Sequence, residues 1–157
     1  MKENILSGVK NRILQMILRN APGATSLRVW LNRWRGVKIG KNCWIGHDAL
    51  IETSHPHLVT IGDNAAIGIR ATIIAHFHEQ QGVTIEDGAT VGPGAIVMPN
   101  VTVGKESIIT AGSVVTRSVA PRTMVQGNPA KPVAHLGVPI TPDISLKEWL
   151  KNLRPIR

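Results

Sequence analysis

Six histidines punctuate the chain, at 47, 55, 57, 76, 78 and 135. Two of them stand one residue apart, next to an acid, in Ala75-His76-Phe77-His78-Glu79. Alternate residues of an extended strand point to one side, so His76 and His78 would share a face. An imidazole that titrates near neutral pH suits the removal of a proton from a hydroxyl or amine as it attacks a carbonyl carbon. Such a base needs a carboxylate or carbonyl to hold its ring, and backbone N–H groups to steady the oxyanion that develops. Glu79, Glu52 and Asp48 are the candidate partners. Glu52 opens the irregular passage Glu52-Thr53-Ser54-His55-Pro56-His57, whose histidines are candidates to line an acceptor pocket. Histidines next to a proline in a surface turn can equally have no role. The same groups are eligible zinc ligands, but spacing fixes no third ligand for a strand His-x-His pair, and no metal is expected.

The elements that must position these residues follow from a repeat. From Ile61 to Val115 every sixth residue is Ile or Val, with Glu79 the one exception. Two residues before each lies a second series of small or β-branched side chains, which includes Ala65, Ala71, Ala89, Ala95 and, as its outlier, Phe77. Ile39, Ile45 and Ile51 obey the same rule, and the register slips by four residues between Thr53 and Leu58. A period of six matches neither a helix nor a hairpin alternation. It matches short strands joined by tight turns, three to a triangular coil of about 18 residues, with coils stacked into a solenoid. Glycines after the main series, at 40, 46, 62, 68, 92 and 104, read as turn positions needing unusual dihedrals. With no Tyr and one Phe, the interior must be narrow. On this frame Ile73 and Phe77 point inward, His76 and His78 outward, and Glu79 falls where an inward aliphatic belongs. An acid is poorly placed there, so a local distortion, and with it a site, is expected.

Composition excludes several classes. The single cysteine, Cys43, rules out an internal disulfide or a multi-thiolate metal site and favours a reducing compartment. No signal peptide or membrane span is evident. The net charge of +8 is concentrated in residues 1–41, which hold nine Lys/Arg against Glu3 alone. Residues 3–20 and Ser26–Arg35 carry apolar side chains at helical spacing. They are expected to cap the open first coil, while their basic faces suit a membrane surface or a partner. No zinc finger, helix-turn-helix or aromatic-basic pattern supports nucleic acid binding. The expected division is residues 1–36 as a helical cap, 37–120 as the β-solenoid, and 121–157 as an extended segment. That last segment ends in a short helix capped by Asp143.

The repeats IGKNCW, IGDNAA, VGPGAI and VGKESI, with the closing run ITAGSVVTRSVAPRTMVQGNPAKPV, resemble the hexapeptide-repeat acyltransferases over residues 37–134. That family includes serine, maltose, galactoside and other sugar acetyltransferases. The resemblance implies a left-handed parallel β-helix, a homotrimer with active sites between subunits, and acetyl-CoA or another acyl-CoA as donor. TIIAHFHE is similar to the family's active-site segment, which makes His78 or His76 the base. Carried over, the cofactor would meet Gly94, Ala111, Gly112, Ser113, Arg117 and Lys131. An open site without a long covering loop suits a sugar-like acceptor such as a nucleotide sugar, glycolipid intermediate or polysaccharide unit. The N-terminal leader resembles that of polysaccharide-biosynthesis enzymes, and a cytoplasmic location, with contact at the inner membrane face, is expected. The competing readings are a silent scaffold solenoid and a carbonic anhydrase-like zinc protein, which zinc analysis would expose.

Overall fold

The computed structural model describes residues 5–77, 81–141 and 143–156. Two helices, α1 (Ile5–Asn20) and α2 (Leu27–Arg35), precede four stacked coils. The first coil is β1 (Lys38–Ile39), β2 (Trp44–Ile45) and β3 (Leu50–Ile51); the second is β4 (Val59–Ile61), β5 (Ala66–Ile67) and β6 (Thr72–Ile73). The third is β7 (Val83–Ile85), β8 (Thr90–Val91) and β9 (Ile96–Val97), and the fourth β10 (Thr102–Val103), β11 (Ile108–Ile109) and β12 (Val114–Val115). A hairpin follows, β13 (Thr123–Gly127) and β14 (Ala130–Leu136), then α3 (Leu146–Lys151) and β15 (Leu153–Pro155).

All pairing between coils is parallel and makes three faces. The first face is β1-β4-β7-β10, the third is β3-β6-β9-β12, and the second is β2-β5-β8-β11, extended by β13, β14 and β15. Each strand of the coils turns at least one aliphatic inward, and the buried column contains Ile45, Ile51, Ile61, Ile67, Ile73, Ile85 and Ile109. Burying such a side chain stabilises the fold by about 1.5–3 kcal/mol, and beside the Ile/Val stack a second column sets Ala65 over Ala89 and Ala71 over Ala95.

Two expectations change. The glycines after the main series do not have positive φ. They are needed for close approach: a Cβ on Gly68 would lie 2.5 Å from the backbone nitrogen of Pro93 in the next coil. The left-handed position comes two residues later in each turn, at Asn42, Asp48, Asn64, Arg70, Gly88, Gly94, Asn100, Glu106 and Gly112. The helix α3 begins at Leu146, not after Asp143; Ser145 caps it by accepting a hydrogen bond from the Glu148 N–H. Its Trp149 packs with Ile108 and Leu136 over the second face.

The first coil gives its N–H groups to the second, as in Gly40 to Ile61, Gly46 to Ile67 and Glu52 to Ile73. On its opposite edge the carbonyls of Ile39, Ile45 and Ile51 have no preceding coil to bond. Three arginines of α2 supply the missing donors, one per face. Arg33 donates to Ile39 O at 3.1 Å, Arg28 to Ile45 O at 2.6 Å, and Arg35 to Ile51 O at 2.9 Å. Orphaned carbonyls on a buried edge are costly, so these bonds terminate the sheet stack. The charge of α2 is therefore largely a capping device.

Candidate functional site

The pairing registers show where the regular winding is interrupted. Lys38 pairs with Thr60, Thr60 with Thr84, and Thr84 with Thr102, so successive coils take 22, 24 and 18 residues. Both additions lie at one corner, between the third face and the first. One is the passage after Ile51, which turns through a short 3-10 helix at Pro56–Leu58; the other lies between Ile73 and Val83. Stacked on each other, they bring together Glu52, His55, His57 and His76.

Glu52 is the centre of the arrangement. Its side chain is 1% exposed, and its Oε2 lies 2.7 Å from Nδ1 of His76. Oε2 also accepts the Ala75 N–H at 2.8 Å, and Oε1 accepts those of Ser54 at 2.9 Å and His55 at 3.1 Å. Burial pushes the carboxyl pKa up, but the hydrogen bonds from His76, Ala75, His55 and Ser54 outweigh it and hold Glu52 below its ordinary value. An ionised carboxylate only accepts, so His76 must carry its proton on Nδ1. The free lone pair then lies on Nε2, which is the arrangement of a general base with an orienting acid. The His76 side chain is 45% exposed, open to an incoming acceptor.

Arg35 holds the backbone of Glu52 from behind, and spacing in the sequence does not single it out. Buried in α2, it donates to the carbonyls of Ile51 and Glu52 and to the side chains of Gln15 and Asn32. Burial pushes its pKa down to about 10, against the raising effect of the Glu52 charge. Gln15 in turn donates to Ala49 O. Arg35 follows Arg28 by seven residues and so lies on the same side of α2, where patterning reads it as one more cation of a basic segment and not as a buried one.

The other expected residues divide. His55 stands beside His76, with ring centroids 5.4 Å apart, and His57 is 5.9 Å further along. Both ring nitrogens of His55 are shut from solvent without a hydrogen-bond partner among the described residues. His78 and Glu79 lie outside the described residues. Phe77, expected inside, is 71% exposed; the inward place after Ile73 is taken by Ala75. Asp48 is not near the histidine pair. It bonds Arg19 at 2.7 Å, and that bond lowers its pKa most; desolvation opposes it, and the Arg19 and Arg70 charges add to the lowering.

Of the cofactor candidates, Gly94, Ala111 and Gly112 stack on the corner between the second and third faces. The N–H groups of Gly94 and Gly112 are already donated to Ile69 O and Pro93 O, so they are not available for pantetheine amides. Ser113 is buried, and its hydroxyl accepts from Gly127 N–H and pairs with Thr110. Arg117 and Lys131 are exposed, on different edges. A single chain therefore does not gather these residues around His76.

Glu52, His55 and His76 offer ligand atoms within 4.8 Å of one another, close enough to consider a metal. Each Glu52 oxygen already accepts two hydrogen bonds, however, so a cation would have to displace a backbone donor or the imidazole.

Residues 82–117 match the bacterial transferase hexapeptide family (six repeats), and residues 58–99 match the hexapeptide repeat of succinyl-transferase. YvoF of Bacillus subtilis, which carries an acetyltransferase name, is 30% identical over 132 residues, 80% of this chain and 76% of its own length. A Schizosaccharomyces pombe protein with the same kind of name is 35% identical over 88 residues, 48% of this chain but only 42% of its own length. Among solved structures, a hexapeptide-repeat acetyltransferase of Vibrio cholerae in complex with acetyl-coenzyme A superimposes with a TM-score of 0.64. It is 20% identical and covers 83% of this chain and 87% of its own. The parallel solenoid with short terminal helices is thus the left-handed β-helix of these proteins. Repeat, fold and relatives agree, and the chain belongs to the bacterial hexapeptide-repeat transferase family.

Proposed function

We propose that this protein transfers an acetyl or other short acyl group from coenzyme A to a hydroxyl or amine of a sugar-like or small-metabolite acceptor, with His76 as general base. The observation that carries the proposal is the buried, ionised Glu52 on Nδ1 of His76. In the reaction, Nε2 of His76 takes the acceptor proton as its oxygen or nitrogen attacks the thioester carbonyl. The tetrahedral intermediate collapses with loss of the coenzyme A thiolate, and the imidazolium returns the proton to that sulfur. Glu52 holds the ring and offsets the imidazolium charge. A positioned base of this kind contributes about 10²–10⁴-fold to rate. His55 and His57 line the acceptor side.

A homotrimer is part of the same proposal. Between the corner of His76 and the corner of Gly94 lies the third face, whose outward residues are the largely apolar set Leu50, Thr72, Ile96 and Val114. On the first face the equivalent set is Lys38, Thr60, Thr84 and Thr102. An apolar face bordered by the base suits a subunit contact that completes the site. The donor would then run along that contact, with Arg117 and Lys131 of the chain toward its phosphates. The expected compartment is the cytoplasm, where coenzyme A thioesters and the reduced Cys43 are both at home.

Thiol release from acetyl-CoA, measured against sugars, nucleotide sugars, amino acids and small alcohols, tests this reading. An active acceptor whose turnover falls about 10²–10⁴-fold in His76→Ala is the expected result. Full activity in that variant would overturn the assignment of His76. Silence with every acceptor and acyl length, together with stoichiometric zinc, would replace acyl transfer with a metal site at Glu52, His55 and His76.

A further inference from the structure

The helix α1 has two faces of opposite use. Its inner face buries Asn11, Leu14, Gln15 and Leu18, and Leu14 and Leu18 pack with Ala21 and Leu31. Its outer face is also apolar: Ile5, Leu6, Val9, Ile13, Met16 and Ile17 are each more than half exposed. At 3.6 residues per turn these six form one stripe, with Arg12 and Arg19 along one border and Lys10 along the other. A monomeric soluble surface rarely leaves such a continuous apolar strip open.

Charge identifies what covers it. From Ile5 to His47 the sequence contains no Asp or Glu. At the end of the stripe, Met16 opens into a groove of about 410 Å³ lined by Arg19, Asn20, His47, Asp48 and Arg70. There one carboxylate faces two guanidinium groups, at 2.7 Å from Arg19 and 3.7 Å from Arg70. A second copy of the same face would set cations against cations. An apolar stripe with basic borders, whose one neighbouring carboxylate, Asp48, faces two guanidinium groups, is instead complementary to a bilayer with anionic headgroups, where the stripe enters the acyl boundary and the cations meet phosphates. The indoles of Trp30 and Trp34 on α2, stacked at 5.8 Å and more than half exposed, are side chains that settle at headgroup depth.

We infer that α1 docks the enzyme in the plane of an anionic lipid surface, with the groove of Arg19, His47 and Arg70 receiving a headgroup phosphate. Vesicle co-sedimentation of the full chain tests this. The protein should partition onto vesicles of mixed phosphatidylglycerol and phosphatidylcholine at least about tenfold better than onto phosphatidylcholine alone, and added salt should release it. The double variant Ile13→Ser/Ile17→Ser removes only exposed apolar area. It should lose about tenfold or more in partition, with an unchanged thermal midpoint and oligomeric state. No partition onto the anionic vesicles, or equal partition onto both kinds, would overturn the inference. So would a double variant that binds vesicles normally, or one that changes oligomeric state, which would assign the stripe to a subunit contact. No acyl donor enters the assay, so its outcome is separate from that of the thiol-release test.

Discussion

The second and fourth coils run through the same corner and end differently. Between β6 and β7 the chain leaves the face after Ala75, presents His76 to the carboxylate of the coil before, and returns at Val83. Between β12 and Val119 the turn is short, Val119 closes it by bridging Val103, and Arg117 stands exposed. The core beneath both is the same Ile/Val stack. Regular winding thus builds the buried stack, and the two added segments bring Glu52, His55 and His76 together.

That separation can be broken experimentally. The largest expected effect is kinetic and confined to the irregular corner. Glu52→Gln leaves the volume nearly unchanged but removes the charge that fixes the His76 tautomer, and kcat should fall about 10²-fold or more. The same variant reports on acid stability. Ionised Glu52 titrates below its ordinary value of 4.5, so it stabilises the fold above that pH. The contribution disappears as pH falls through the lower, folded value. Urea midpoints measured downward from pH 5 should therefore drop more steeply in the parent protein than in Glu52→Gln. Next comes the regular coil: Ile109→Ala should cost about 2–5 kcal/mol of stability by leaving a cavity, with kcat unchanged below the melting range. A large loss of kcat there would show that the two regions are coupled. The smallest effect should come from Gly94→Ala. Its φ is +65° but nothing lies within 4 Å of the added Cβ, so chemical denaturation should show a loss of only about 1 kcal/mol.

Much of the fold was legible because Ile67, Val91 and Ile109, which stack directly over one another, recur in phase with the period of six. The site was legible only in its parts. Glu52, His55 and His76 each stood out as chemistry out of place, yet their meeting depends on the lengths of two added segments. The first adds four residues and betrays itself as a slip. The second adds six, a whole period, so the phase is kept while the chain leaves the face. That is why the period of six places Phe77 inside, although its side chain is 71% exposed. Arg35 is hidden for another reason: it bonds two carbonyls and the amide side chains of Gln15 and Asn32, none of which marks a buried arginine in the sequence.

Glu52 and His76 come from successive coils, with Glu52 N–H donating to Ile73 O and Ala75 N–H returning to the Glu52 carboxylate. Their separation is therefore metered by the backbone ladder, at about 4.8 Å per layer, instead of by how side chains happen to pack. The dyad inherits the tolerance of a crystal lattice constant. Core substitutions that loosen a layer can lower the melting point and still leave Glu52 and His76 in step. Inserting or deleting a whole coil elsewhere would move the site bodily along the solenoid without retuning it.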